Sequence, residues 1–62
     1  MFKLKIDVVE KSGLTSTYDG TSRFENLEEA VEAATITRSA LYDDYSNYAI
    51  RDYSVDIVPA ND

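Results

Sequence analysis

The chain predicts an α+β fold: a two-layer ββαβ unit in which a three-stranded antiparallel sheet of order 2-1-3 is covered on one face by one helix. Three observations predict it. Apolar residues alternate with polar ones near both ends of the chain, at Phe2, Leu4, Ile6, Val8 and again at Tyr53, Val55, Ile57. Between them lies one amphipathic stripe at helical spacing, introduced by a capping residue. A Ser12-Gly13 turn signal joins the first alternating run to a second strand-like run. One helix cannot bury its stripe alone, so it must lie on the apolar face of the sheet.

The first strand, about 2–10, follows from strict alternation: Lys3, Lys5 and Asp7 fall on the face opposite Phe2, Leu4, Ile6 and Val8. The second, about 14–24, places Leu14, Tyr18 and Phe24 on the inner side and Thr15 and Thr17 outside; Gly20 marks a bulge or the point where strand gives way to loop. The helix, about 27–44, starts at Asn26 as N-cap with Glu29 three residues on. Leu27, Ala30, Val31, Ala34 and Leu41 form its stripe, with Thr37 and Arg38 nearest that line in the third turn, so contact there is looser or Arg38 snorkels. No glycine closes it, and Asp43-Asp44 sit at the negative end of its dipole, which predicts fraying or a turn of 3₁₀. The last strand, about 49–58, alternates Tyr53, Val55 and Ile57 with Ser54 and Asp56 and stops at Pro59. A right-handed return from the helix lands this strand beside the first and puts the most apolar strand in the centre. The other face, with Lys3, Lys5, Asp7, Val9, Thr15, Thr17, Ser54 and Asp56, reads as solvated.

Sixty-two residues make a single domain, 1–62, with a thin core. There is no cysteine and no histidine. Disulfide staples, thiolate or imidazole metal sites and the usual general base are therefore absent, and stability rests on packing or on a homodimer. With only two glycines there is no phosphate-cradling loop. The expectation is no enzyme and no cofactor. Asp43, Asp44, Ser46 and Asn47 suggest calcium at first sight, but the central glycine and terminal glutamate of a calcium loop are missing. Twelve acidic residues against six basic ones give a net charge of −6. That repels nucleic acid and favours partners with basic surfaces. The first residues alternate charge with apolar side chains, unlike a signal peptide, and no apolar run suffices for a membrane span. A cytoplasmic protein is expected, with no membrane partner.

Residues 41–53, L-Y-D-D-Y-S-N-Y-A-I-R-D-Y, are the most unusual part of the chain. Tyr42, Tyr45, Tyr48 and Tyr53 are interleaved with Asp43, Asp44 and Asp52. Tyrosine supplies large amphipathic contact area at low entropic cost and is enriched at binding hot spots. Two readings are open. The rings form an exposed anchor patch ringed by aspartates, or they cap the end of the core with their hydroxyls in water. A secondary acidic array, Glu25, Glu28, Glu29 and Glu32, has a plain explanation in helix capping and solubility. Joined with Asp43, Asp44, Asp52 and Asp56 it also reads as a DNA-like charge array.

The hairpin, the N-L-E-E-A-V-E-A-A helix and the closing Y-S-V-D-I-V strand resemble, in layout over nearly the whole chain, small, acidic, mostly uncharacterised proteins encoded by bacteriophages. The resemblance transfers no functional residue. It implies a viral protein acting in the host cytoplasm that binds and blocks a host enzyme or defence complex.

The functional expectation is a small acidic protein-binding module, an inhibitor or modulator that docks on a basic surface of a partner protein. A DNA mimic that blocks a nucleic-acid-binding groove is one alternative. A structural or self-associating protein, dimerising through an open sheet edge, is another.

Overall fold

The computed structural model describes residues 1–61. In chain order the elements are β1 (Phe2–Glu10), β2 (Thr15–Asp19), α1 (Leu27–Ser46) and β3 (Ile50–Pro59). The sheet is antiparallel throughout with order β2-β1-β3, and the helix packs on one face. The fold is the α+β arrangement that the alternation predicts. Register pairs Leu4 with Ile57, Ile6 with Val55 and Val8 with Tyr53, so the apolar positions of the two long strands share the helix-facing side. Leu4 and Val55 are buried there against Ala34, with Ile6, Phe24, Ala33, Leu41 and Ile57 half-buried around them.

The second strand is shorter than its sequence run. It ends at Asp19 because Gly20 turns close to β1: its N–H donates to the Leu4 carbonyl at 2.8 Å, and a Cβ at this position would lie 3.3 Å from the same oxygen. The chain then leaves the ladder and rejoins it at Phe24, which exchanges both backbone bonds with Phe2 at 2.8 and 2.9 Å. Between these points β1 advances two residues while its partner advances four. Arg23 braces the excursion through its bond to the Gly20 carbonyl at 2.9 Å. Phe24 thereby reaches the core although it stands outside β2.

Asn26 caps the helix, its side-chain oxygen accepting from the Glu29 N–H at 2.9 Å. The stripe is rotated from its sequence reading. Ala30 and Ala34 are buried and Leu41 is half-buried, whereas Leu27 and Val31 are exposed. Alanines let the helix approach the sheet closely, so the contact line runs through them. The helix lies over β3 and the margin of β1, and does not pack on β2. The inner face of β2 is left uncovered: Leu14 is 63% and Tyr18 55% exposed, contrary to their expected place in the core.

The C-terminus of α1 neither frays nor tightens into 3₁₀. It continues to Ser46 and closes in a Schellman arrangement: Ala49 N–H donates to the Asp44 carbonyl at 2.9 Å and Tyr48 N–H to the Tyr45 carbonyl at 3.1 Å. That closure requires a left-handed residue, and Tyr48 supplies it at φ 60°.

The outer edge of β3 is capped at two points. Ladder alternation points the backbone groups of Tyr53, Val55, Ile57 and Pro59 away from β1. Arg38 reaches from the helix to the Val55 carbonyl at 2.8 Å, in place of an unengaged head in water. The Asp52 carboxylate accepts from the Tyr53 N–H at 2.8 Å. Pro59 has no N–H to offer.

Candidate protein-contact site

The tyrosine segment is split between the last turns of α1, the closing turn and the start of β3. Helical spacing puts Tyr42 and Tyr45 on the flank that overhangs β3, and the sheet register brings Tyr53 up beneath them. The rings form a continuous row: Tyr42 to Tyr45 at 6.4 Å between centroids, and Tyr45 to Tyr53 at 5.8 Å edge to face. Tyr53 is half-buried at the foot of the row. Tyr42 and Tyr45 are 56% and 45% exposed, and Tyr48 is 78% exposed. The rings thus differ in burial, Tyr53 being half-buried and Tyr48 the most exposed of the four.

Tyr48 stands out on energetic grounds. A side chain at positive φ costs about 1–2 kcal/mol relative to glycine. Such strain persists where the surroundings over-determine it, commonly at functional sites. Here the ring gains almost no burial in return. Asp43 and Asp44, both exposed, add carboxylates to the dipole end that disfavours them, and no basic residue occupies the last turn. Three residues at this helix end, Asp43, Asp44 and Tyr48, thus run against local stability.

A groove of about 510 Å³ opens between the helix end and the start of β3, lined by Tyr42, Tyr45, Tyr48 and Ile50 together with Lys11 and Arg51. The two cations were not part of the expected acidic patch. Arg51 enters through a register shift: β1 passes from Val9 to Glu10 while β3 passes from Asp52 to Ile50, leaving Arg51 as the extra residue of a bulge. Its guanidinium donates to the Lys11 carbonyl at 3.2 Å and so ties the β1–β2 turn to the groove. Arg51 was visible inside the tyrosine segment, but nothing in sequence spacing brings Lys11 to it. On the neighbouring side Asp43 shares a shallow recess with Arg38, Tyr42 and Tyr53. Asp44 lies about 200° round the helix from Tyr42, on the other flank.

The acidic residues are not gathered on one surface. Glu28, Glu29 and Glu32 are exposed on the first turns of α1, about 20–25 Å along the axis from Tyr45, with Glu25 just before the cap. Asp52 and Asp56 belong to the sheet face that points away from the helix. Asp52 is moreover committed to the β3 edge. Among the described residues no three histidine, cysteine or acidic side chains are placed to hold a metal ion, and no helix is long and apolar enough to cross a membrane.

No family model matches this chain, no curated protein matches it, and no solved structure matches its fold.

Proposed function

We propose that this chain is a small acidic protein-binding module whose contact surface is the tyrosine-lined end of the molecule. The single observation that carries this reading is Tyr48: a solvent-exposed aromatic held at a backbone position where glycine serves the fold better. Tyr42 and Tyr45 form the rest of the anchor, stiffened by their packing on each other and on Tyr53. Rigid aromatics lose little entropy on binding. The net charge of −6 favours a partner with a basic surface, met by the exposed carboxylates of the helix. The groove beside Tyr48 holds Lys11 and Arg51, so the partner group entering it is apolar, aromatic or acidic. An inhibitory or modulating role on a host enzyme follows from the likeness in layout to small acidic phage proteins. The division of the acidic side chains between helix and far sheet face weighs against a DNA-mimicking array.

The test is comparative capture from a lysate of the natural host, quantified by mass spectrometry, with the parent chain and Tyr48→Gly as baits. The glycine variant keeps the fold, so partners of this surface are retained by the parent and lost from the variant. An identical set of partners on both baits ends this reading. Loss only on neutralising Glu28, Glu29 and Glu32 moves the site to the acidic helix start.

A further inference from the structure

We propose that a second copy of this chain pairs with it along the free edge of β2, antiparallel about a two-fold axis at Thr17, so that two three-stranded sheets join into one. This goes beyond the tyrosine-end reading and does not depend on it.

The two edges of the sheet are treated differently. Even-numbered β1 residues bond toward β2, as the Glu10–Leu14, Gly20–Leu4 and Phe2–Phe24 bonds show. Alternation then leaves the N–H and C=O of Thr15, Thr17 and Asp19 pointing outward. Among the described residues, none of these backbone groups has a side-chain cap of the kind that Arg38 and Asp52 place on β3. An uncapped edge is a template for another strand. Alongside it lies the apolar surface the helix fails to cover, with Tyr18 and Leu14 exposed, next to a trough between the helix and residues 20–24 that Leu4, Ile6 and Ala33 line.

Charge and register name the occupant as a copy of itself. Residues 11–24 hold Lys11, Arg23 and one carboxylate, Asp19, in a chain of net charge −6. This side does not share the acidic excess of the helix, so two such acidic molecules repel little across it. With Thr17 on the axis, Thr17 faces Thr17 of the other copy and each Thr15 faces an Asp19, so no like charges meet. Threonine pairs are favourable across strands. On the inner face each Tyr18 then stands opposite Ser16 of the other copy, and each Leu14 opposite Gly20. Surface area points the same way. The chain exposes 4406 Å² at 7.0 kDa, against ~4,000 Å² for a compact monomer of that mass. Its radius of gyration is 12.2 Å, against ~10.6 Å for a compact chain of this length. A five-residue edge buries less than the roughly 800 Å² per partner of a standard interface, which predicts a dimer of modest affinity.

Sedimentation of the full chain from micromolar to roughly 0.5 mM should show the mass double with concentration. Hydrogen exchange over the same range should slow at the Thr15, Thr17 and Asp19 amides and stay constant at those of Val55 and Ile57. Thr17→Pro removes the central outward N–H and leaves the backbone bonds to β1 in place, at the loss of the Thr17 hydroxyl's bond to the Asp7 carboxylate at 2.6 Å. Thr17→Lys keeps a strand residue beside Asp7 but sets two cations face to face on the axis. Either change should weaken the dimer about tenfold or more, the lysine effect shrinking with added salt. A chain monomeric throughout the range overturns the proposal. So does a dimer indifferent to Thr17→Lys, or one whose slowed amides lie on β3.

Discussion

Replacing Tyr48 first by alanine and then by glycine separates the two things its position implies. With the ring 78% exposed, about one fifth of its ~200 Å² is covered, roughly half of it apolar. Removing that contact costs about 0.5 kcal/mol at ~25 cal/mol per Å². Alanine keeps the left-handed strain, so Tyr48→Ala should lower stability by no more than about that amount. Glycine relieves about 1–2 kcal/mol of strain and gives back ~0.4–1 kcal/mol through the freer unfolded chain. The glycine variant should therefore be more stable than the alanine variant by ~0.5–1 kcal/mol, a difference of a few degrees in Tm for a chain of this size. At an ordinary helical or extended position the order reverses, glycine being the worse residue by a similar amount. Urea and thermal unfolding of both variants, followed by circular dichroism without any partner, read the sign directly. Glycine at or below alanine refutes the strain. A loss of ~2 kcal/mol or more in Tyr48→Ala refutes the free ring and makes Tyr48 a folding residue.

The remaining predictions concern the same balance elsewhere. Asp43→Asn with Asp44→Asn should raise stability by ~0.3–1 kcal/mol by relieving the helix dipole, while slowing association with a basic partner and flattening its salt dependence; a less stable double variant would show the carboxylates serving the fold. Asn26→Ala should cost about 1 kcal/mol through the lost bond to the Glu29 N–H, seen as a lower urea midpoint at unchanged slope. Leu4→Ala should cost ~2–4 kcal/mol, a large share of the ~3–9 kcal/mol a domain of this size commands, so its melt should be shallow or already under way at room temperature. A variant that melts near the parent temperature would place the core elsewhere.

Alternation at Leu4, Ile6, Val55 and Ile57 and the Asn26 cap made the elements and their order readable, because each is a local pattern with one structural solution. The lateral position of the helix was not readable. It depends on how closely Ala30 and Ala34 let two layers approach, which periodicity does not encode, and this is what strands Leu14 and Tyr18 in solvent. The site was half legible. The density of tyrosine and aspartate marks out the segment 41–53, but which of its rings is exposed follows from the helix closure at Tyr48 and the register at Tyr53. Lys11 joins the groove through a bulge and a turn that lie forty residues apart in the chain, a pairing only the folded backbone reveals.

Arg38 has a consequence beyond the bond it makes to Val55. A sheet with two receptive sides has a valence of two, and molecules of valence two grow into chains of unlimited length. By occupying the Val55 carbonyl, Arg38 makes the β3 side less receptive than the β2 side, so on the proposed pairing at β2 growth beyond a pair is disfavoured. One guanidinium on a helix thus weighs on how far strand pairing can extend. Its loss should be felt less in how firmly the chain folds than in whether concentrated solutions stay clear.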